Sequence, residues 1–469
     1  MGVALCISLY ASAAQSQSPA WTPPQPLFNA CCTAYPAPVI DPWGRLHLLW
    51  ADVEGYIWYS RLGAAGWTPP VDVVGNPGND SASGLDAAVD EAGRLHLVWR
   101  DGNRGGSLYY ASVDARQADN ARAWSAPIEL APVALGAALA VAPAGRIHVV
   151  YTPFEEGVSF AHITSDDGVA WTAPSLPPAR LSTRFTGGSH IELAIDGAGT
   201  LHVAWNSQAY PAGYPEHAVF YQRSADGGQS WSEPYDPDPL PPEVDADAES
   251  AFKNKLINVA VGPRGDVHLT WHQYTGYRFH RWSEDGGLTW RESESIFPEM
   301  GPAFNGVVDM AFDSSGAMHV VAARGSIWHR TWTPDGQWAP PVLVDPNPAD
   351  WHQQRVAVVG GNEVYLFYPD INETGILWFT HKGAAAPAIA TSQPPDLLDA
   401  VTAAQPAASM SQAVTPAPSQ AATATALPAS LRLAAPDAPN AGRWLWALAP
   451  ALVLSAAAVV WRLFWVQRR

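Results

Sequence analysis

The chain has 469 residues, is rich in aromatic side chains at 11% and poor in charged ones at 15%, and carries a formal net charge of −18. That balance excludes nucleic acid and anionic headgroups as partners, because phosphate binding needs clustered Lys and Arg. It suits an all-β protein whose sheets pack face to face, and 3 cysteines are too few for a disulfide framework.

The first residues, MGVALCISLYASAAQ, form an apolar stretch ending in Ala11-Ser12-Ala13, the pattern of a secretory signal peptide over residues 1–14. No basic segment precedes it, which leaves an upstream start open. Cys6 falls within this segment. Cys31 and Cys32 are adjacent and cannot staple distant parts of the chain, so they stand either as a strained vicinal disulfide or as two small buried thiols.

Residues 20–382 are repetitive. A short apolar run, a Gly- or Asn-containing turn and an alternating β-branched and aromatic run recur as VIDPWGRLHLLW around His47 and AVDEAGRLHLVW around His96. Further copies surround His148, His202, His268, His319 and Tyr365. Each reads as a tight hairpin between two strands. An aromatic third strand follows, as in IWYS (57–60) and LYYAS (108–112). A turn ending on Trp then opens a fourth strand at Trp67, Trp124, Trp171, Trp231, Trp290 and Trp338. Four strands per repeat at this period predict a seven-bladed β-propeller, with six blades as the alternative. Residues 21–28, WTPPQPLF, copy a fourth strand without the first three, whereas the last repeat stops after its third. The N-terminal strand is therefore expected to complete the last blade and close the ring.

The turns SADGGQSW (Ser224 to Trp231) and SEDGGLTW (Ser283 to Trp290) match the Asp-box signature of the sialidase superfamily; SDDGVAW (Ser165 to Trp171) is one residue shorter and TPDGQW is a remnant. The chain thus resembles a divergent sialidase-type propeller. In that family Asp boxes lie away from the active site, and an arginine cluster clamps the substrate carboxylate. The Arg-Ile-Pro motif that supplies the first clamp arginine corresponds here to Tyr35-Pro36-Ala37-Pro38, which puts Pro36 in the arginine's place. Arg100, Arg184, Arg324 and Arg355 remain as sources for other members.

After the propeller, residues 383–442 shift to Ala, Pro, Ser and Thr with no aromatic residue, the composition of a disordered stalk. Residues 443–465 hold an uncharged, mostly apolar run from Trp444 to Trp461, with tryptophans at both ends, and predict one membrane-spanning helix followed by the tail 466–469. The arginines after the span place the C-terminus in the cytoplasm and the propeller outside the plasma membrane. The insertion Pro234 to Ser250, with six acids and no base, reads as a solvated acidic lid or as a Ca²⁺ site without the spacing of a known loop.

Propeller geometry sorts the remaining candidates. The hairpin turns and Asp boxes share one face, so function is sought on the other, among the loops between blades and after second strands. The six repeated histidines stand on rotated blades, too far apart to share one metal, and are structural. The candidate ligand-binding residues are Arg100, Asp101, Arg184, Asn206, Tyr210, His272, Tyr274, Arg324, Trp351 and Arg355. Carboxylates, arginines and rings of this kind bind glycans or peptides. No cofactor or metal is expected. Two readings follow: a membrane-anchored binding module for a glycan, peptide or partner protein, and a sialidase-like glycoside hydrolase of altered specificity.

Overall fold

The computed structural model describes residues 20–394, apart from 30–33, 53, 79–80, 103–104, 179–184, 210–215, 240–255, 274–275, 301–307, 324, 347–353 and 371–375. The described strands form seven antiparallel sheets. Their first strands are Ala34–Ile40, Ala82–Val89, Ala137–Val141, Phe185–Ile195, Ile257–Val261, Asp309–Phe312 and Arg355–Val359, each at the edge of its sheet. Each touches the first strand of the next blade, and the seventh touches the first, so these strands enclose a central channel. The expected closure is present: Gln25–Asn29 pairs with Ile376–Gly383 as the fourth strand of blade 7. In blades 3 and 4 the expected fourth strands shrink to single bridges, His162 with Ser175 and Tyr221 with Tyr235. Their sequences, APSLPP and EPYDPDPLPP, explain this, since Pro offers no N–H to a ladder.

The repeated histidines are the polar core of each blade, between 0% and 2% exposed. In blades 1, 2 and 4 the Nδ1 atoms of His47, His96 and His202 lie 2.7 Å from the hydroxyls of Tyr59, Tyr110 and Tyr221 on the third strand. In blades 3, 5 and 6 a second imidazole replaces the phenol: His148 with His162 at 3.0 Å, His268 with His280 at 2.9 Å and His319 with His329 at 3.0 Å. Nε2 faces a hairpin Asp in several blades, as from His47 to Asp41 at 3.1 Å and from His268 to Asp266 at 2.8 Å. Such buried polar groups are tolerated because they are paired. None of this brings three metal ligands together among the described residues.

The Asp boxes lock the turns and join blades. Asp226 accepts from the Ser230 N–H at 2.9 Å and from the Ser230 hydroxyl at 2.5 Å, and Asp285 accepts the same pair of bonds from Thr289. The hydroxyl and then the N–H of Ser230 hold the Asp226 carboxyl down at about 2. The Trp that ends each turn reaches back into the preceding blade: Trp171 edge-on to Tyr110, Trp231 to Phe160 and Trp290 to Tyr221. The box glycine makes room for that contact. At Gly287, with φ +83°, a Cβ would sit 2.0 Å from the Tyr221 hydroxyl, whereas Gly199, also at +83°, has nothing within 4 Å. Gly199→Ala should therefore cost only the left-handed backbone term, about 1 kcal/mol. Gly287→Ala should cost about 2–4 kcal/mol, because overpacking adds to it. Denaturant midpoints of the two variants check this, and equal losses would show that the Trp seam is not tightly packed.

The chain does not leave the propeller at residue 383. Ala384 N–H donates to Asn362 O, Ile389 N–H to Gly360 O, and the Ser314 hydroxyl to Pro387 O. Residues 384–391, placed in the linker by composition, thus lie across the hairpin turns of blades 6 and 7, and Thr391 reaches Gly44 in the turn of blade 1. No helix among the described residues is long and apolar enough to cross a membrane. The expected signal segment 1–14, Cys31-Cys32 and the expected span 443–465 all lie outside the described residues.

Candidate functional site

The residue ten positions before each histidine, or before Tyr365, falls at one level of the seven first strands. These residues are Ala37, Asp86, Ala138, Glu192, Asn258, Asp309 and Arg355. Each pairs with the residue two positions after the histidine slot: Leu49, Val98, Val150, Ala204, Thr270, Val321 and Phe367. Asp309 and Arg355 open their strands, whereas Asp86 and Glu192 lie further along theirs. Its members sense one another across the channel. Arg355 pulls down the pKa values of Asp86, Glu192 and Asp309, and Asp309 pushes up those of Asp86 and Glu192. Three carboxylates, an amide and one guanidinium from five blades therefore share one enclosed space.

Most of the layer is engaged in holding neighbouring blades. Asp86 accepts from Leu139 N–H of blade 3 at 2.7 Å, and Asp309 from Val356 N–H of blade 7 at 2.6 Å. The Asn258 amide donates to Val308 O of blade 6 at 2.5 Å, while its oxygen lies 3.1 Å from His190 Nε2 of blade 4. Glu192 differs. Among the described residues it has no hydrogen-bond donor, and His190 Nε2 stands 3.7 Å away. Its side chain is 29% exposed. Desolvation, reinforced by Asp86 and Asp309 and opposed by Arg355, raises its pKa to about 8. Desolvation raises Asp86 and Asp309 as well. The raised pKa favours the protonated form of Glu192, which can donate or accept a hydrogen bond, with His190 as its neighbour at 3.7 Å.

A bulge aims His190. In blade 4 the register shifts between Gly187 and Ile191, and Asn206 accepts from His190 N–H at 3.0 Å. Asn206 is 1% exposed, so it positions the bulge from beneath. Of the other sequence candidates, Arg100 is 6% exposed and lies against Gly84, whose Cβ would meet its Nε at 2.8 Å. Asp101 accepts from the Asn76 amide at 2.7 Å, and Asn76 in turn accepts from the Trp99 indole at 3.0 Å. His272 is buried at the end of its strand. These four brace strand ends, and Arg355 joins the channel layer. Arg184, Tyr210, Tyr274, Arg324 and Trp351 lie outside the described residues. Pro36, in the place of the first clamp arginine, is buried in the first strand of blade 1. Of the acidic insertion, the structure describes Pro234 to Pro239, where Asp238 accepts from Gln273 at 2.6 Å and desolvation lifts Asp236 to about 6. These first acids are fixed against the propeller.

No family model and no curated protein matches the chain. Solved structures do. The chain is similar to the BP39L lectin from Burkholderia pseudomallei at 15% identity, over 78% of this chain and 99% of that one, with a TM-score of 0.56. It is similar to a PL25 ulvan lyase bound to a GlcA-Rha3S saccharide at 12% identity, over 82% and 98%, with a TM-score of 0.52. Sialidases are also among the structures it resembles, such as the Hadza microbial sialidase Hz136 at 16% identity, over 76% and 66%, with a TM-score of 0.42. At such identities the likeness is one of fold alone, and the chain's own seven sheets make it a seven-bladed propeller.

Proposed function

We propose that this propeller binds glycans at the loop-rich mouth of its channel, and that it is exported and held at the outer face of a membrane by its C-terminal segment. The observation that carries the binding reading is the layer of Asp86, Glu192, Asn258, Asp309 and Arg355, with Glu192 left unengaged. Carboxyl and amide groups converging in a partly desolvated space are the means by which sugar hydroxyls are held. Three acids around one arginine disfavour anionic sugars, as does the net charge of −18. The ligand is therefore a neutral or amino-bearing saccharide rather than a sialoside. That the same fold serves as a lectin in BP39L supports the class of ligand and leaves the sugar open. Residues 384–391 run over the hairpin turns, on the face opposite the inter-blade loops.

A second reading rests on Glu192 alone. A carboxyl protonated near neutral pH beside two other carboxyls is the arrangement of a glycosidase acid with its partner. An array of neutral, amino, sulfated and sialylated glycans, probed with the full chain, separates the possibilities. Neutral or amino glycans should bind, and the double variant Glu192→Gln, Asp309→Asn should bind at least tenfold more weakly. Binding confined to sialylated glycans, or unchanged in the double variant, sinks the channel-mouth reading. Release of fluorophore from a neutral glycoside panel would favour the hydrolase.

A further inference from the structure

The seam between blades 7 and 1 differs from the other seams. In six blades the histidine slot is sealed: its imidazole is at most 2% exposed, hydrogen-bonded to a third-strand Tyr or His and covered by the next blade. Blade 7 carries Tyr365 in that slot, Val359 where most blades have the hairpin Asp and Phe379 where they have the phenol or second imidazole. The polar relay cannot form there. Tyr365 remains part exposed, stacked on His381 at 5.1 Å and 16°, while Trp67 of blade 1 stands edge-on to Phe379 at 5.8 Å. A cleft of about 470 Å³ opens between them, rimmed by Gln25 of the closing strand and Thr68.

We propose that this cleft is a saccharide site of its own, taking one or two neutral pyranose rings. The volume lies in the range of small-molecule sites. Tyr365, Phe379 and Trp67 offer ring surface to the apolar face of a sugar, and the Tyr365 hydroxyl and Gln25 amide make no hydrogen bond among the described residues. No Asp, Glu, Lys or Arg lines the cleft, so a charged sugar would lose hydration without gaining a partner. The proposal stands on the seam's geometry and does not rest on the channel-mouth reading. Because the ligand would touch both the closing strand and blade 1, binding also stabilises ring closure.

Saturation-transfer NMR on the full chain with methyl glycosides of glucose, galactose, mannose, fucose and N-acetylglucosamine tests it, with sialyllactose as the charged comparison. At least one neutral glycoside should receive saturation. Its affinity should fall at least tenfold both in Gln25→Trp, which fills the cleft from an exposed rim position, and in His381→Ala, and it should persist in Gly199→Ala, a variant in the hairpin turn of blade 4. Circular dichroism of the two seam variants shows whether a loss reflects the site or the fold. Silence from every neutral glycoside overturns the proposal. So does binding that both seam variants retain, a result that would assign the sugar to another surface.

Discussion

A His162→Tyr variant should keep its fold to lower pH than the parent. Blades 1, 2 and 4 pair their core histidine with a tyrosine, whereas blade 3 buries two imidazoles 3.0 Å apart. Desolvation is the main cause that pushes His148 and His162 both down to about 4, with Arg146 adding to it at His148 and His148 adding to it at His162. In the unfolded chain each titrates near 6.5. A folded pKa below the unfolded one means that these groups contribute stability above pH 6.5 and lose it as pH falls towards 4. The loss is on the order of 3 kcal/mol for each imidazole. Tyrosine removes one such group. It should also fit, because Gly228 lies over His162 as Gly168 lies over Tyr110 and Gly287 over Tyr221, all with positive φ. Urea midpoints between pH 7.5 and 4 check this: the two proteins should agree within about 1 kcal/mol at the top of the range and diverge below pH 6.5. Curves that stay parallel would show that the paired imidazoles do not govern acid stability.

The blade count was legible because the hairpin between first and second strands is a local event repeated seven times, and local patterns survive in sequence. The closing strand at Gln25–Asn29 was legible for the same reason, since its Trp-Pro opening copies other fourth strands. The Asp-box Ser, Asp, Gly and Trp act within eight residues and kept their expected scaffold roles. The channel layer is different. Asp86, Glu192, Asn258 and Asp309 lie on the first strands of four different blades, and only ring closure brings them together. One signal was available: in the column ten residues before the histidine, residue type changes from Ala to acid, amide and Arg while the columns around it stay mostly apolar. Loop position alone pointed instead to Arg100, which packs against Gly84, to Asp101, which bonds Asn76, and to His272, which is buried at the end of its strand.

Glu192→Gln should stabilise the propeller at alkaline pH while weakening glycan binding. Burial, with Asp86 and Asp309 nearby, lifts the Glu192 carboxyl to about 8. In the unfolded chain the same group ionises near 4.5. A folded pKa above the unfolded one places the full stability contribution below pH 4.5 and removes it as pH rises through 8. Ionising this carboxyl in its enclosed position thus opposes folding by a few kcal/mol above pH 8. Glutamine keeps the shape and two hydrogen-bonding atoms but carries no charge at any pH. The variant should match the parent near pH 4.5 and exceed it by a few kcal/mol above pH 8, with the gap opening between those values. Denaturant titrations across that range read the gap directly, and a variant no more stable than the parent at pH 9 would show that Glu192 is well solvated. The binding side of the trade follows from the same chemistry. A group kept in an unfavourable environment, with neither of its oxygens engaged by the scaffold, persists where it serves a ligand. Stabilisation together with lost binding would mark Glu192 as a site residue, and stabilisation with unchanged binding would make it a leftover of the channel wall.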